Sequence, residues 1–422
     1  MRLRAEWPQV YLVPNPKNAQ ALASELRVEP IDAAWLGGAD ADEPYLEASV
    51  GAVVLLIADR LATGATDLVV IFAADVAVKV LGAVLNALGP SVLLVIRADS
   101  PHAALVDFET PALMLGEESV QGQALSRLAR IRARPGSVTP TATEHAMAAA
   151  SIAARRSAAP RGGVGACLID ELGEVLLLGT AEVPRFKGGH YWSESADDAR
   201  DHASDPATKV RLATVKRLLT LLEYKETGAV SLDEVAAQLL IDFDRSDNAR
   251  DVGTGDLAST FESLGRVVHA EMAVLCHAAR RGQAVKGLTM CATASPCRQC
   301  LRHAVCSGIE RIVYLGRRVS SPPDFLADSV STEPNAQRMA LVAFEGIAPG
   351  AYELVFGKPP KTSSGAYRPL PATTHFLSLA RQAAEADVGL WARALGATPQ
   401  TAALLHTIAS SLARDRHHLG PT

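Results

Sequence analysis

The chain has 422 residues, of which 48% are hydrophobic and 21% charged, an ordinary globular composition long enough for two or three domains. The formal net charge of −5 gives no global basic field to draw it to nucleic acid or an anionic membrane. No apolar run reaches the ~18 residues of a membrane span, and the opening "MRLRAEWPQVYLVPNP" lacks the apolar core of a signal peptide, so a cytoplasmic protein with no membrane partner is expected.

Residues 1–135 read as a first α/β domain. The apolar runs "GAVVLLIADRL" (51–61), "DLVVIFAADV" (67–76) and "SVLLVIRAD" (91–99) are expected to be buried strands of a parallel sheet. Between the last two, "AVKVLGAVLNALG" has helical spacing. "VYLVPNPKNAQALASEL" (10–26) fits a strand–loop–helix slot, but without the glycines and Lys-Ser/Thr of a phosphate-binding loop. "RARPGSVTPTAT" (132–143) reads as a linker.

A second domain is expected over 136–360, with a long polar insertion at 185–265 that contains a helical stretch from Asp205. Its first helix, "TEHAMAAASIAARRS" (143–157), has Thr143 as a possible cap, and Arg155 and Arg156 fall on a solvated face. "GVGACLID" and "EVLLLGTAE" make a hairpin around "ELGE". "HAEMAVLCHAARRG" is a helix stopped by Gly282, "GLTMCATA" a strand, and "PCRQCLRHAVCSG" a helix with Pro296 in its first turn and Gly308 at its end. "IERIVYLG" is the next strand, giving the order β-β-α-β-α-β. Residues 361–422 read as a helical C-terminal extension, and His417–His418 as tail.

The six cysteines (167, 276, 291, 297, 300, 306) lie in the middle of the chain, which suits metal binding better than a disulfide framework. His269 opens one helix, and Cys297 and Cys300, nearly one turn apart, open another. A helix N-terminus favours thiolates. One His and two Cys supply three ligands for a Zn2+ ion and leave the fourth tetrahedral position open, as catalytic zinc does. Glu271, two residues past His269, is placed to shuttle a proton rather than to ligate. H-x-E followed by P-C-x-x-C is the signature of zinc-dependent base deaminases, in which hydroxide attacks the amine-bearing carbon. Two blander readings stay open: buried core cysteines, or a structural zinc closed by Cys291 or Cys306. Cys167, Cys276, Cys291 and Cys306 are otherwise expected in the core. In "PRFKGGHYW", Gly188 and Gly189 allow close backbone approach, Lys187 and Arg185 can neutralise phosphate, and His190, Tyr191 and Trp192 can stack on a base; a mobile surface loop is the plain alternative.

Residues 145–357 resemble the deoxycytidylate deaminase branch of the cytidine deaminase superfamily, and more narrowly the bacterial anti-phage dCTP deaminases. The resemblance lies in "VGACLIDELGEVLLLGTAEVPRFKGGHYW", "GRVVHAEMAVLCHAARRGQAVKGLTMCATASPCRQCLRHAVCSGIERIVYL" and "VAFEGIAPGAYELVF" (342–356). It implies a three-layer α/β/α fold, one catalytic zinc on His269, Cys297 and Cys300, Glu271 as proton shuttle, a homo-oligomer, and free cytosine nucleotides as substrate. It also implies a role in depleting nucleotides during phage infection. The chain departs from the family at two places. Ala181 stands where the pattern G-T-N-E-V-P has asparagine, and an amide lost against a sugar hydroxyl costs on the order of 1–3 kcal/mol. The N-terminal domain, in the place of a kinase-like domain, lacks a P-loop and reads as a degenerate relative that senses or regulates, or as an unrelated domain. Two other readings remain: a deaminase acting on single-stranded nucleic acid or a purine, and a non-catalytic zinc-containing nucleotide-binding regulator.

Overall fold

The computed structural model describes residues 10–26, 31–32, 48–54, 69–72, 78–88, 92–116, 118–133, 138–159, 163–195, 200, 206–222, 231–246, 266–316, 326–333 and 337–357. The chain divides into two compact units: 1–140 with 345–422, and 141–344. The expected C-terminal helical extension and His417–His418 lie outside the described residues.

In the first unit, β1 (Val10–Val13), β2 (Ile31–Asp32), β3 (Val69–Phe72), β4 (Val92–Arg97) and β5 (Ala112–Leu115) form a parallel sheet. The strand order is β12-β5-β4-β1-β3-β2, where β12 (Gly346–Ile347) pairs antiparallel with β5. The helices are α1 (Pro16–Leu26), α2 (48–54), α3 (Val78–Leu88), α4 (Glu118–Ala133) and, after β12, α10 (Pro349–Phe356). The runs at 67–76 and 91–99 are strands as expected, and so is the strand–loop–helix at 10–26. The run from 51 is different: residues 48–54 are helical. A short, wholly apolar run has no period to separate a buried helix from a buried strand. Tyr11, Leu22, Leu93, Val95, Leu113 and Leu128 fill the core together with Ile347 and Leu354. The end of "VAFEGIAPGAYELVF" thus belongs to the first unit's sheet and core, whereas the sequence groups it with the second domain.

The second unit holds β6 (Gly165–Ile169), β7 (Val175–Thr180), β8 (Thr289–Ala292), β9 (Arg311–Tyr314), β10 (Val330–Ser331) and β11 (Met339–Ala343), in the order β10-β11-β9-β8-β6-β7. β6 runs antiparallel to β7 and β8, and the other pairings are parallel. Its helices are α5 (Ala142–Ala154), α6 (Pro206–Leu221), α7 (Leu232–Ser246), α8 (Ala270–Arg281) and α9 (Arg298–Ser307). Two adjacent residues of β7 show the layering. A Cβ on Gly179 would lie 2.3 Å from the Ala270 carbonyl oxygen of α8. Its neighbour Thr180 donates its hydroxyl to the Ala153 carbonyl of α5 at 3.0 Å. Successive strand residues face opposite sides, so α5 and α8 sandwich the sheet. This is the three-layer α/β/α arrangement expected from the sequence.

The cap of α5 is Thr141, not Thr143. The Thr141 hydroxyl accepts the Glu144 N–H, and the Glu144 carboxylate accepts the Thr141 N–H at 2.7 Å. The insertion contributes α6 and α7, joined by a small core of Val215, Ala236 and Leu240. No helix among the described residues is long and apolar enough to cross a membrane.

Candidate metal centre

The sheet delivers two helix N-termini to one point. His269 is the N-cap of α8, in extended backbone at φ −62, ψ 151. It follows Val268, which exchanges N–H···O bonds with Glu182 just beyond the end of β7. Cys297 is the N-cap of α9, and Cys300 lies in that helix's first turn. Pro296 precedes the cap rather than sitting inside the helix. Both helices end on left-handed glycines, Gly282 at φ 67 and Gly308 at φ 78, as expected.

The three side chains meet as the sequence spacing implies. His269 Nδ1 lies 3.5 Å from Cys297 Sγ and 3.6 Å from Cys300 Sγ. All the potential ligand atoms of this group fall within 4.8 Å of one another. Zinc bonds of about 2.3 Å to sulfur and 2.05 Å to nitrogen, at a tetrahedral angle, set N and S about 3.6 Å apart. The residues present therefore fit a zinc ion. Cys300 is fully buried and Cys297 partly so.

The electrostatics agree with that fit. The Cys297 thiol is drawn down to about 4, chiefly by its hydrogen bond with Cys300, against the effect of burial and with help from His269. Cys300 is pushed up by the same shared hydrogen bond, then by burial and by Glu271. Both shifts arise from the hydrogen bond that the two sulfurs share, and a divalent cation at that point favours both as thiolates. Glu271, in the first turn of α8, is 3% exposed. Burial raises its carboxyl above the usual range, while its own N–H, the His269 charge and a hydrogen bond with Cys300 pull the other way. Burial of this kind favours the protonated carboxyl over the carboxylate. Neither Cys291 nor Cys306 joins the group. Cys291 is buried in β8 opposite Cys167 of β6, and both are core as expected. Cys276 and Cys306 are exposed, not core, because the buried faces of α8 and α9 pass through other positions.

The segment Lys187–Trp192 forms a strap closed by the Pro184–His190 bridge and by the Arg185 N–H on the Gly189 carbonyl at 2.9 Å. Lys187, Gly188 and Gly189 take φ of 72, 95 and 80. His190 and Tyr191 are half-buried and Trp192 is exposed. Helical spacing puts Arg156 on a solvated face. The structure instead stacks its guanidinium 3.6 Å over the Trp192 ring and has it donate to the Tyr191 carbonyl at 3.0 Å. Burial lowers its pKa, Glu182 raises it and Arg200 lowers it. Its partner lies 36 residues away, so no local signal in the sequence marks it.

The family model for the cytidine and deoxycytidylate deaminase zinc-binding region matches residues 140–316. Deoxycytidylate deaminases of Enterobacteria phages T2 and T4 are each 43% identical over 47 residues, 11% of this chain. The matched stretch spans only about a quarter of those relatives' own length, 25% and 24%. Among solved structures, the apo dCMP deaminase of cyanophage S-TIM5 aligns at 14% identity over 49% of this chain and 100% of its own, with a TM-score of 0.26. The same enzyme in complex with dCMP and dUMP aligns at 17% identity over 42% and 82%, with a TM-score of 0.23. Residues 140–316 are thus similar to the zinc-binding region of the cytidine and deoxycytidylate deaminases.

Proposed function

We propose that the second unit hydrolyses a free cytosine nucleotide to the uracil nucleotide and ammonia. In this reading His269, Cys297 and Cys300 hold zinc and Glu271 carries the proton. When bound there, zinc supplies hydroxide at neutral pH. The Glu271 carboxylate takes the proton that water gives up, delivers it to the ring nitrogen, and later hands a proton to the departing amine. Burial beside the ligands suits it to that exchange. The strap Lys187–Trp192 is the substrate-facing element in this reading. The observation that supports the reading most is the spacing of His269 Nδ1 from the two sulfurs, 3.5 and 3.6 Å, next to a buried carboxyl.

Nucleotide depletion during phage infection belongs to the same proposal and rests on the resemblance of "EVPRFKGGHYW" and "FEGIAPGAYELVF". So do a regulatory role for the first unit as a degenerate kinase-like domain, and assembly into a homo-oligomer. The test is to incubate zinc-loaded protein with CMP, dCMP, CTP and dCTP and to follow loss of cytosine absorbance. At least one should turn over, and Glu271→Gln should keep its zinc while kcat falls about 10²- to 10⁴-fold. Zinc bound with no turnover of any of the four refutes the reading.

A further inference from the structure

The strap gathers more positive charge than the zinc corner uses. Lys187 lies exposed on the strap itself and Arg185 exposed just before it. Its glycines press against α8: a Cβ on Gly188 would sit 2.8 Å from Arg280 Cδ, and one on Gly189 3.8 Å from Arg280 Nη1. On the other side stands Arg156, stacked on Trp192, with its Nε buried and without an acceptor. Arg156, Arg280 and His277 all bear on the half-buried His190 between them. One carboxylate, Glu182, acts on the same ring. It is already engaged by the Ala158 and Val183 N–H groups at 2.8 and 2.9 Å, and Arg200 lies 3.9 Å away. Two guanidinium groups that act on one imidazole, one of them with a buried donor left unpaired, suit an anion.

The layout ties this cluster to the metal end of the unit. The strap leaves the sheet at Glu182, which is bridged to Val268, the residue before His269. It then runs back over the last turn of α8, where Arg280 lies. Eleven residues at ~1.5 Å each place Arg280 about 16 Å from His269 along the helix. The negative end of the α8 dipole would oppose an anion there, and Arg280 and Arg281 in the last turn offset it.

We propose that Arg156 and Arg280, with Lys187 of the strap, grip the phosphate of the nucleotide whose base is handled at the metal end. This rests on the reading of the unit as a nucleotide deaminase. A single-stranded nucleic acid backbone would carry the same charge. Among the described residues, however, these cations gather at the strap and its neighbours in a chain of net charge −5 and are not laid out as a stripe.

The experiment is calorimetric titration of the zinc-loaded full chain with inorganic pyrophosphate and triphosphate, with a single-stranded oligonucleotide as competitor. At least one inorganic anion should bind, and Arg280→Gln and Arg156→Gln should each weaken it tenfold or more, whereas Arg156→Lys should stay within about threefold. The same Gln variants should lower the kcat/KM ratio of nucleotide over nucleoside tenfold, chiefly through KM. Three outcomes overturn the proposal: neither anion binds, Arg280→Gln binds as the wild type does, or the oligonucleotide displaces pyrophosphate at lower concentration than triphosphate. Because Arg280 is exposed, its variant carries the test if Arg156→Gln fails to fold. Glu271→Ala should still bind pyrophosphate. Anion binding without any deamination would keep this site and remove the deaminase reading; deamination without anion binding would do the reverse.

Discussion

Gly179 is where a single methyl group should unseat the metal centre from a distance. It lies in β7 under the first turns of α8, and an added Cβ would meet Ala270 O at 2.3 Å, Val274 N at 2.7 Å and Val274 Cβ at 2.8 Å. Two of these are backbone atoms, so no rotamer relieves the clash. Bringing 2.3 Å out to even a tight contact of roughly 3.0 Å moves α8 about 0.7 Å off the sheet. His269 and Glu271 travel with that helix, whereas Cys297 and Cys300 sit on α9. Zinc ligands tolerate about 0.2 Å and functional constellations about 0.5 Å, so the shift exceeds both. Gly179→Ala should cost about 1–3 kcal/mol by overpacking, a fall of roughly 2–12 °C in the unit's melting temperature. It should weaken zinc at least tenfold in competition with a chromogenic chelator. Gly282→Ala is the control: that residue is left-handed at φ 67 with nothing within 4 Å of its Cβ position. It should cost about 1 kcal/mol through backbone strain alone and leave zinc affinity unchanged. If Gly179→Ala binds zinc as tightly as Gly282→Ala does, the sheet does not set the ligand geometry and the reasoning fails.

Two further outcomes follow from the same structure. Thr141→Ala removes the hydroxyl half of the capping box of α5, leaving its backbone N–H on Glu144, and should cost about 1 kcal/mol, or a drop of roughly 2–4 °C on calorimetric melting, without touching zinc binding. Native alkylation followed by mass spectrometry should modify Cys276 and Cys306 first, because both are exposed, and spare Cys167 and Cys291. Chelation should then open Cys297 to the reagent, and labelling of Cys297 at the same rate with and without zinc would contradict its place as a ligand.

What was legible in the sequence follows from how local each signal is. The hairpin of β6 and β7, the two glycine-stopped helices and the meeting of His269, Cys297 and Cys300 are written in short segments: alternation, a left-handed C-cap, and H-x-E with P-C-x-x-C. The cap of α5 was legible too, since Thr141-x-x-Glu144 is a capping box, although Thr143 draws the eye first. Cys276 and Cys306 mislead because apolar residue type is not a face. The buried positions of α8 run through 270, 273, 274 and 278, and those of α9 through 300, 301 and 304, so each cysteine falls off the covered stripe. Arg156 on Trp192 and β12 on β5 were not legible, because each pairs residues dozens to hundreds of positions apart.

The first unit shows why strand order alone does not make a nucleotide site. Its parallel strands run β2-β3-β1-β4-β5, with β1 in the middle. In open α/β sheets the crevice at the strands' carboxyl ends is where ligands bind. A phosphate held there needs free N–H groups at the start of the helix that follows and a glycine loop to bring them close. Here only Pro14 and Asn15 separate β1 from α1. The Asn15 side chain accepts the Asn18 N–H at 3.1 Å, and its carbonyl accepts the Ala19 N–H at 2.9 Å. Pro16 at the first helical position offers no donor. The chain's own residues therefore spend the groups that a phosphate would need at this place. This turn is therefore not a phosphate cradle, which agrees with placing the proposed chemistry at the start of α8 and α9 instead.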